Sequence, residues 1–486
     1  MKSYQHFING EFTPSASGKT FDDVNPVNGR VFATVAEGGH LEVDAAVKSA
    51  RAALSGPWGK LSTVQRTDLV TAVADGIAQR FDDFLEAEVA DTGKPHRLAS
   101  GLDIPRGAAN FRFFADLVKG VSTESFEMTT SSGRPGLNYA RRRPRGVIAV
   151  VCPWNLPLLL MTWKVGPALA CGNTVVVKPS EETPGTATLL GEVMNAVGIP
   201  RGVYNVVHGF GPQAAGELLI THGGIDAITF TGETRTGAAI ISGSAKGIKP
   251  VSMELGGKNP ALVFADADLD AVMTGLKRSV FENTGQVCLG TERVYVERPL
   301  YQKVVEALAV LAKGFVFGDP RDAGTTLGPL ISAEHQRKVL GYYQRAVADG
   351  ATLVAGGGVP EVAPELSGGS WIEPTVWTGL SQGSAVVQEE IFGPCCAVLP
   401  FDTEAEAIQL ANDTPYGLAA SVYTQDISRA HRVAAQLEVG LCWVNCWYVR
   451  DLRTPFGGSK RSGIGREGGM HSLEFYSELT NVCVQL

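Results

Sequence analysis

Gly209-Phe210-Gly211-Pro212-Gln213-Ala214 fits G-x-G-x-x-A, the turn that presents backbone N–H groups to a dinucleotide pyrophosphate at a helix start. The apolar run Tyr204-Asn205-Val206-Val207 precedes it and a helical segment, Ala214–Ile220, follows. Pro212 removes one amide donor, so a plain glycine turn competes on equal terms. Phe230-Thr231-Gly232-Glu233-Thr234-Arg235-Thr236-Gly237 is a second phosphate-loop candidate, with Glu233 an odd neighbour for a diphosphate. Gly379-Leu380-Ser381-Gln382-Gly383 matches the G-x-S-x-G elbow of serine hydrolases. A hydrolase using Ser381 needs a helix directly afterwards, whereas Ser384-Ala385-Val386-Val387 reads as loop and strand. Gly256-Gly257-Lys258-Asn259 lacks the Ser/Thr and the spacing of a P-loop. The 8 cysteines form no Cys-x-x-Cys pair and the 8 histidines no His-Glu-x-x-His; no metal site is expected.

Such loops must be carried by a sheet. Gly146–Val151, Thr174–Val177, Tyr204–Val207 and Ala227–Phe230 are short continuous apolar runs. Helical segments at Ala187–Val197 and Ala214–Ile220 lie between the last three. That alternation predicts a parallel sheet covered on both faces, in a doubly wound α/β layout. Helices are also predicted over Val43–Leu54 and through Leu69, Val73, Ile77 and Phe81. A second α/β cycle starts at Ala261–Phe264 and continues through Leu269–Phe281, Val294–Val296 and Val304–Leu311. The tail, Phe475–Leu486, reads as an edge strand suited to docking on another subunit.

Composition narrows the function. The chain has 486 residues and a net charge of −8, and the only basic run is Arg141-Arg142-Arg143-Pro144-Arg145. Nucleic acid is a poor partner for such a surface. Glycine, at 57 residues, is well above the usual ~7% and follows no strict period. No clean stretch of about 20 apolar residues occurs, so no membrane span is expected. The N-terminus shows no secretory h-region, and the sparse cysteines suit a reducing, cytoplasmic setting.

Six separated segments then stand in order: Pro153-Trp154-Asn155, Lys178-Pro179-Ser180-Glu181, Glu254-Leu255-Gly256-Gly257-Lys258, Asn283-Thr284-Gly285-Gln286-Val287-Cys288, Glu389-Glu390-Ile391-Phe392-Gly393-Pro394 and Pro455-Phe456-Gly457-Gly458. In this order they closely resemble the NAD(P)-dependent aldehyde dehydrogenase superfamily, over essentially the whole chain. The resemblance implies a Rossmann-type cofactor domain, an α/β catalytic domain and a small β oligomerisation arm. The implied limits are residues 1–121 with 143–256, residues 257–456, and, for the arm and C-terminal tail together, residues 122–142 with 457–486.

By that resemblance Cys288 is the nucleophile, whose thiolate adds to a carbonyl and leaves from a thioester. Asn155 is the oxyanion donor, with the Cys288 backbone N–H beside it. Glu254 is the base that activates water; its bland alternative is a salt bridge to Lys258. Lys178 and Glu181 face the adenosine ribose, where a carboxylate repels a 2′-phosphate and favours NAD. Trp154 and Gly232 line the same cleft, Glu390 holds the nicotinamide ribose, and Phe392 lies beside the ring.

Within the superfamily, Asp103–Phe111, Leu158–Trp163 and Arg450–Arg453 are most similar to the 2-hydroxymuconate and 2-aminomuconate 6-semialdehyde dehydrogenases of aromatic meta-cleavage catabolism. The resemblance implies that Arg106 and Arg450 grip the carboxylate of a small acidic semialdehyde, as a guanidinium fork does. Surface pairing of Arg450 near Asp451 is the alternative. A homodimer or homotetramer is implied as well.

Overall fold

Strands covered on both faces are largely apolar, and in the computed structural model, which describes residues 1–486, the apolar runs of the first half of the chain form such strands. Every residue of Val147–Val151, Thr174–Lys178 and Ala227–Thr231 is buried. Together with Tyr204–Val206 and Val251–Glu254 they form the parallel centre of an eight-stranded sheet. Ile148 and Val150 pack into one layer, against helices Thr63–Gln79, Ile104–Lys119 and Pro157–Ala170. Val147, Ala149 and Val151 pack into the other, against His40–Ser55, Ala215–Thr221 and Thr234–Ser244.

Strand order decides where chemistry can sit. The chain runs outward from Val147–Val151 through Thr174–Lys178 to Tyr204–Val206, then crosses back to Ala227–Thr231 and Val251–Glu254 on the opposite side. The switch point is between Val147–Val151 and Ala227–Thr231, and ligands bind outside the carboxyl ends of strands at such a point. Trp154, Asn155, Lys178, Gly232 and Glu254 all lie at or just beyond carboxyl ends of these strands.

The second unit is a seven-stranded sheet running Thr352–Ala355, Thr375–Thr378, Cys395–Phe401, Thr291–Glu297, Asn259–Val263, Ala419–Tyr423, Leu441–Val444. Only the first of these is antiparallel to its neighbour. Helix Leu269–Phe281 spans the range its periodicity predicts, started by Asp268, whose carboxylate accepts from the Asp270 and Ala271 amides at 3.0 and 3.4 Å.

Three differences from the sequence expectation have local causes. The helix drawn through Phe81 is two helices, Thr63–Gln79 and Phe81–Thr92, broken at Arg80. A three-stranded N-terminal sheet, Lys2–Tyr4, Thr20–Asn25 and Arg30–Ala36, lies in a stretch with no marked apolar run. The arm consists of Ser125–Thr129, Pro135–Pro144 and Ser477–Gln485, so it takes only the end of the 457–486 stretch. Gly463–Ile464 instead pairs with Val251–Glu254, and helix Gly469–Tyr476 buries Leu473 and Tyr476 against the first unit. No helix is long and apolar enough to cross a membrane.

Candidate active site

The loop after Val147–Val151 and the loop after helix Leu269–Phe281 meet between the two units. Past Phe281 the chain makes a tight turn, Glu282–Gly285, with Asn283 and Thr284 at φ 52° and 57°. These left-handed values are costly for residues with side chains and are held by hydrogen bonds. Asn283 Nδ2 donates to the backbone carbonyls of Asn155 and Gln286, both at 3.1 Å. Asn155 Nδ2 donates to the same Gln286 carbonyl at 2.9 Å. One amide hydrogen of Asn155 is thereby used for orientation, leaving the second free. Cys288 follows two residues later, half-buried, with its carbonyl held by Asn259 Nδ2 at 2.7 Å.

Glu254 ends its strand within this cleft, and neither carboxylate oxygen has a hydrogen-bond partner. The alternative pairing with Lys258 does not occur, because Lys258 bonds Glu292. A Cβ on Gly457 would meet Glu254 Oε1 at 2.8 Å, so this close approach requires glycine. Burial, with the nearby Glu467 carboxylate, raises the Glu254 carboxyl well above its usual range. Burial, with Glu254 and Glu390, likewise pushes the Cys288 thiol up to about 12, opposed by Arg450. Glu467 accepts from the buried Lys164 ammonium at 2.7 Å and from the Ser252 hydroxyl at 3.1 Å.

The cofactor side is organised by a separate set of contacts. Lys178 Nζ donates to Glu181 at 3.2 Å and to the Pro179 carbonyl at 2.8 Å. The Gly232 amide donates to the Glu254 carbonyl at 3.0 Å. Glu233 does not cap helix Thr234–Ser244; its carboxylate turns to Arg235 at 3.4 Å, leaving the first turn open to an anion. At the other glycine loop part of the donor set is already used. Gln213 donates to Glu217, Gly216 to the Phe210 carbonyl and Glu217 to the Gly211 carbonyl. With Pro212 carrying no N–H and Gln213 engaged, the G-x-G-x-x-A stretch offers fewer donors than its motif suggests.

Glu390 accepts from the Gly257 amide at 2.9 Å and lies so close to Gly256 that a Cβ there would overlap its carboxylate. Phe392, at φ 64°, sits edge-on to Trp154 with ring centroids 5.4 Å apart. Two residues without a sequence signal set this pair. Glu292 accepts from the Ile391 and Phe392 amides at 3.0 and 2.8 Å. His335 bonds the Phe392 carbonyl at 2.8 Å and packs on Trp154, and burial lowers its imidazole to about 4.

Opposite the cofactor side, the Arg450 guanidinium is sandwiched between Trp163 and Phe456, 4.3 and 4.0 Å from their centroids. Its Nε and Nη2 are buried without partners, and burial lowers its affinity for the proton to about 10. Asp451 pairs with Arg453 at 2.6 Å, which disposes of the surface alternative for Arg450. Arg106, on helix Ile104–Lys119, and Tyr448 lie near enough to share its electrostatic field. Ser381 is exposed in the loop between strand Thr375–Thr378 and a four-residue helix, Ala385–Gln388, which forms where the sequence reads as loop and strand; no hydrogen bond joins the Ser381 hydroxyl to a histidine.

Comparison with known proteins agrees with this geometry. A sequence model described as the aldehyde dehydrogenase family matches residues 12–482. The chain is 66% identical, over all of both chains, to a 2-hydroxymuconic semialdehyde dehydrogenase from Pseudomonas sp. (strain CF600). It is 56% identical to a 2-aminomuconic 6-semialdehyde dehydrogenase from Pseudomonas sp., covering 100% of this chain and 99% of that one. The solved NAD+ complex of an aldehyde dehydrogenase from Bacillus cereus superposes with a TM-score of 0.96 at 40% identity, covering 100% of this chain and 97% of that one.

Proposed function

The chain belongs to the aldehyde dehydrogenase family, and we propose that it oxidises 2-hydroxymuconate 6-semialdehyde, or the 2-amino analogue, to the dicarboxylate with NAD. The observation that carries the substrate class is Arg450, a guanidinium gripped by two aromatic rings with two donors unbonded, in the cleft that holds Cys288 and Glu254. Unpaired buried donors are costly, and a bidentate carboxylate removes that cost. Arg106 adds a second positive charge at the same end. The higher identity to the relative named for the 2-hydroxy substrate favours that compound.

In this reading the Cys288 thiol loses its proton to solvent, the thiolate Sγ adds to the aldehyde carbon as the C=O π bond breaks, and the oxyanion accepts from the free amide hydrogen of Asn155 and the Cys288 N–H. NAD supplies the acceptor for the hydride that leaves the thiohemiacetal carbon. Glu254 then takes a proton from water as the water oxygen attacks the thioester, and Cys288 leaves. Lys178 and Glu181 hold the adenosine ribose, the open first turn after Gly232 meets the pyrophosphate, and Glu390 with Trp154 and Phe392 holds the nicotinamide end. Residues 122–142 and the last strand pair this chain with further copies as a homodimer or homotetramer; Phe126, Met128 and Leu479 on that arm are exposed and apolar. A reducing cytoplasm suits a free nucleophilic thiol.

The direct test is NADH formation, followed by absorbance, with 2-hydroxymuconate semialdehyde, its 2-amino analogue and an uncharged aldehyde. Fast turnover confined to the carboxylated substrates supports the reading. Preference for the uncharged aldehyde rejects the substrate and leaves an aldehyde dehydrogenase.

A further inference from the structure

Beneath the cleft lies a charged group that the chemistry above does not use. Lys94 is 2% exposed. Its ammonium donates to Asp103 at 2.5 Å, to Glu88 at 3.2 Å and to the backbone carbonyl of Asn155 at 3.0 Å. Glu88 and Asp103 are themselves fully buried. Burial pushes the Glu88 carboxyl up to about 7, with Lys94 opposing and Asp103 adding to the rise. One retained proton between the carboxyls thus brings the trio towards neutrality.

A buried ammonium is costly to desolvate, and pairing alone is weak evidence for stability. What distinguishes Lys94 is its third bond. The Asn155 carbonyl it holds also accepts from Asn283, which reaches the Gln286 carbonyl that orients the Asn155 amide. Lys94, Asn283, Gln286 and Asn155 therefore form one connected frame, joining the oxyanion donor to the loop of Cys288. Glu88 also accepts from the Leu158 amide at 3.3 Å, fixing the helix that starts just after Asn155. On the other side, Asp103 ends a π-helical turn, Ala99–Asp103, and leads into the helix of Arg106. Such turns interrupt regular helices at the expense of local stability.

We infer that Lys94 is the positioning residue of the oxyanion site: its ammonium fixes the Asn155 backbone so that the free amide hydrogen points at the developing oxyanion. The inference rests on the reading of Asn155 as that donor. Lys94 touches no reacting atom; it acts through Asn155.

A double-mutant cycle tests it, with kcat expressed per active site from the NADH burst. Asn155→Ala should lower kcat about 10²–10³-fold, the usual loss for one oxyanion donor. Lys94→Met should lower kcat by about 10-fold or more, equally for carboxylated and uncharged aldehydes, with NAD affinity changed by less than about 2-fold. In the Asn155→Ala background the same change should cost under about 3-fold, because the group it positions is gone. Equal losses in both backgrounds overturn the inference, as does a loss confined to carboxylated substrates, which would mean action through the Arg106 helix. An unimpaired Asn155→Ala enzyme instead rejects the reading of Asn155 itself. If circular dichroism shows Lys94→Met unfolded, Lys94→Gln, which keeps a donor without the charge, replaces it in the cycle under the same criteria.

Discussion

Lys258 is bonded to Glu292, leaving Glu254, four residues earlier in the chain, with both carboxylate oxygens unbonded in the cleft. Glu254→Gln should therefore fold normally yet stall after the first chemical step. A general base typically contributes about 10²–10⁴-fold, and steady-state turnover should fall within that range. The burst of NADH should survive, and intact-protein mass spectrometry should find the acyl group added at Cys288. A variant with lost burst and no added mass would show that Glu254 acts earlier.

Arg450 should matter for one kind of substrate. Arg450→Met keeps an apolar filler between Trp163 and Phe456 while removing the charge. Hydrogen bonds to charged groups contribute about 1.5–3 kcal/mol, or roughly 10- to 150-fold in kcat/KM. That loss is expected for a carboxylated semialdehyde, with an uncharged aldehyde changed by less than about 3-fold. Arg106→Ala should give the same selectivity. Parallel losses on both substrates would mean that the arginines shape the cleft and do not bind the carboxylate.

The contrast between Arg450 and Lys94 explains what the sequence reveals. Asn155, Lys178 and Glu254 sit in short contiguous segments at carboxyl ends of strands, and Cys288 in one between a helix and the next strand, so the ordered segments that carry the family resemblance contain all four. Lys94 meets Asn155 across 61 residues and Gln286 meets Asn155 across 131. Neither contact follows from periodicity, and a lysine in a Gly-Lys-Pro turn looks like a solvated side chain. Glu292 and His335 are equally silent, because they act on the backbone of Phe392 in a different segment. Of the two glycine loops, the one with the better motif loses donors at Pro212 and Gln213, while the first turn after Glu233 is left uncapped in the other. Gly463–Ile464 is too short to announce itself as a strand.

Cofactor choice should turn on Glu181. Its carboxylate neutralises Lys178 at 3.2 Å and is partly exposed at the cleft. In Glu181→Ala the lysine loses its counter-charge and the repulsion of a 2′-phosphate disappears. The ratio of kcat/KM for NADP over NAD should rise by about 10-fold or more, through a higher KM for NAD and a lower one for NADP. Measuring both constants separates this from general damage, which would weaken the two cofactors together.

The thiol gives a pH prediction whose sign follows from its surroundings. Burial, Glu254 and Glu390 all disfavour the Cys288 thiolate, pushing the thiol up to about 12, while Arg450 favours it. Only the thiolate reacts with an alkylating agent. In the cofactor-free enzyme, iodoacetamide inactivation should therefore accelerate about tenfold per pH unit from pH 7 to 9.5, without a plateau. Arg450→Met should slow the reaction at each pH, because the one favourable charge is removed. A plateau between pH 7 and 8 would mean that the free enzyme already holds a thiolate, whose negative charge would strengthen the hold of Glu254 on its proton.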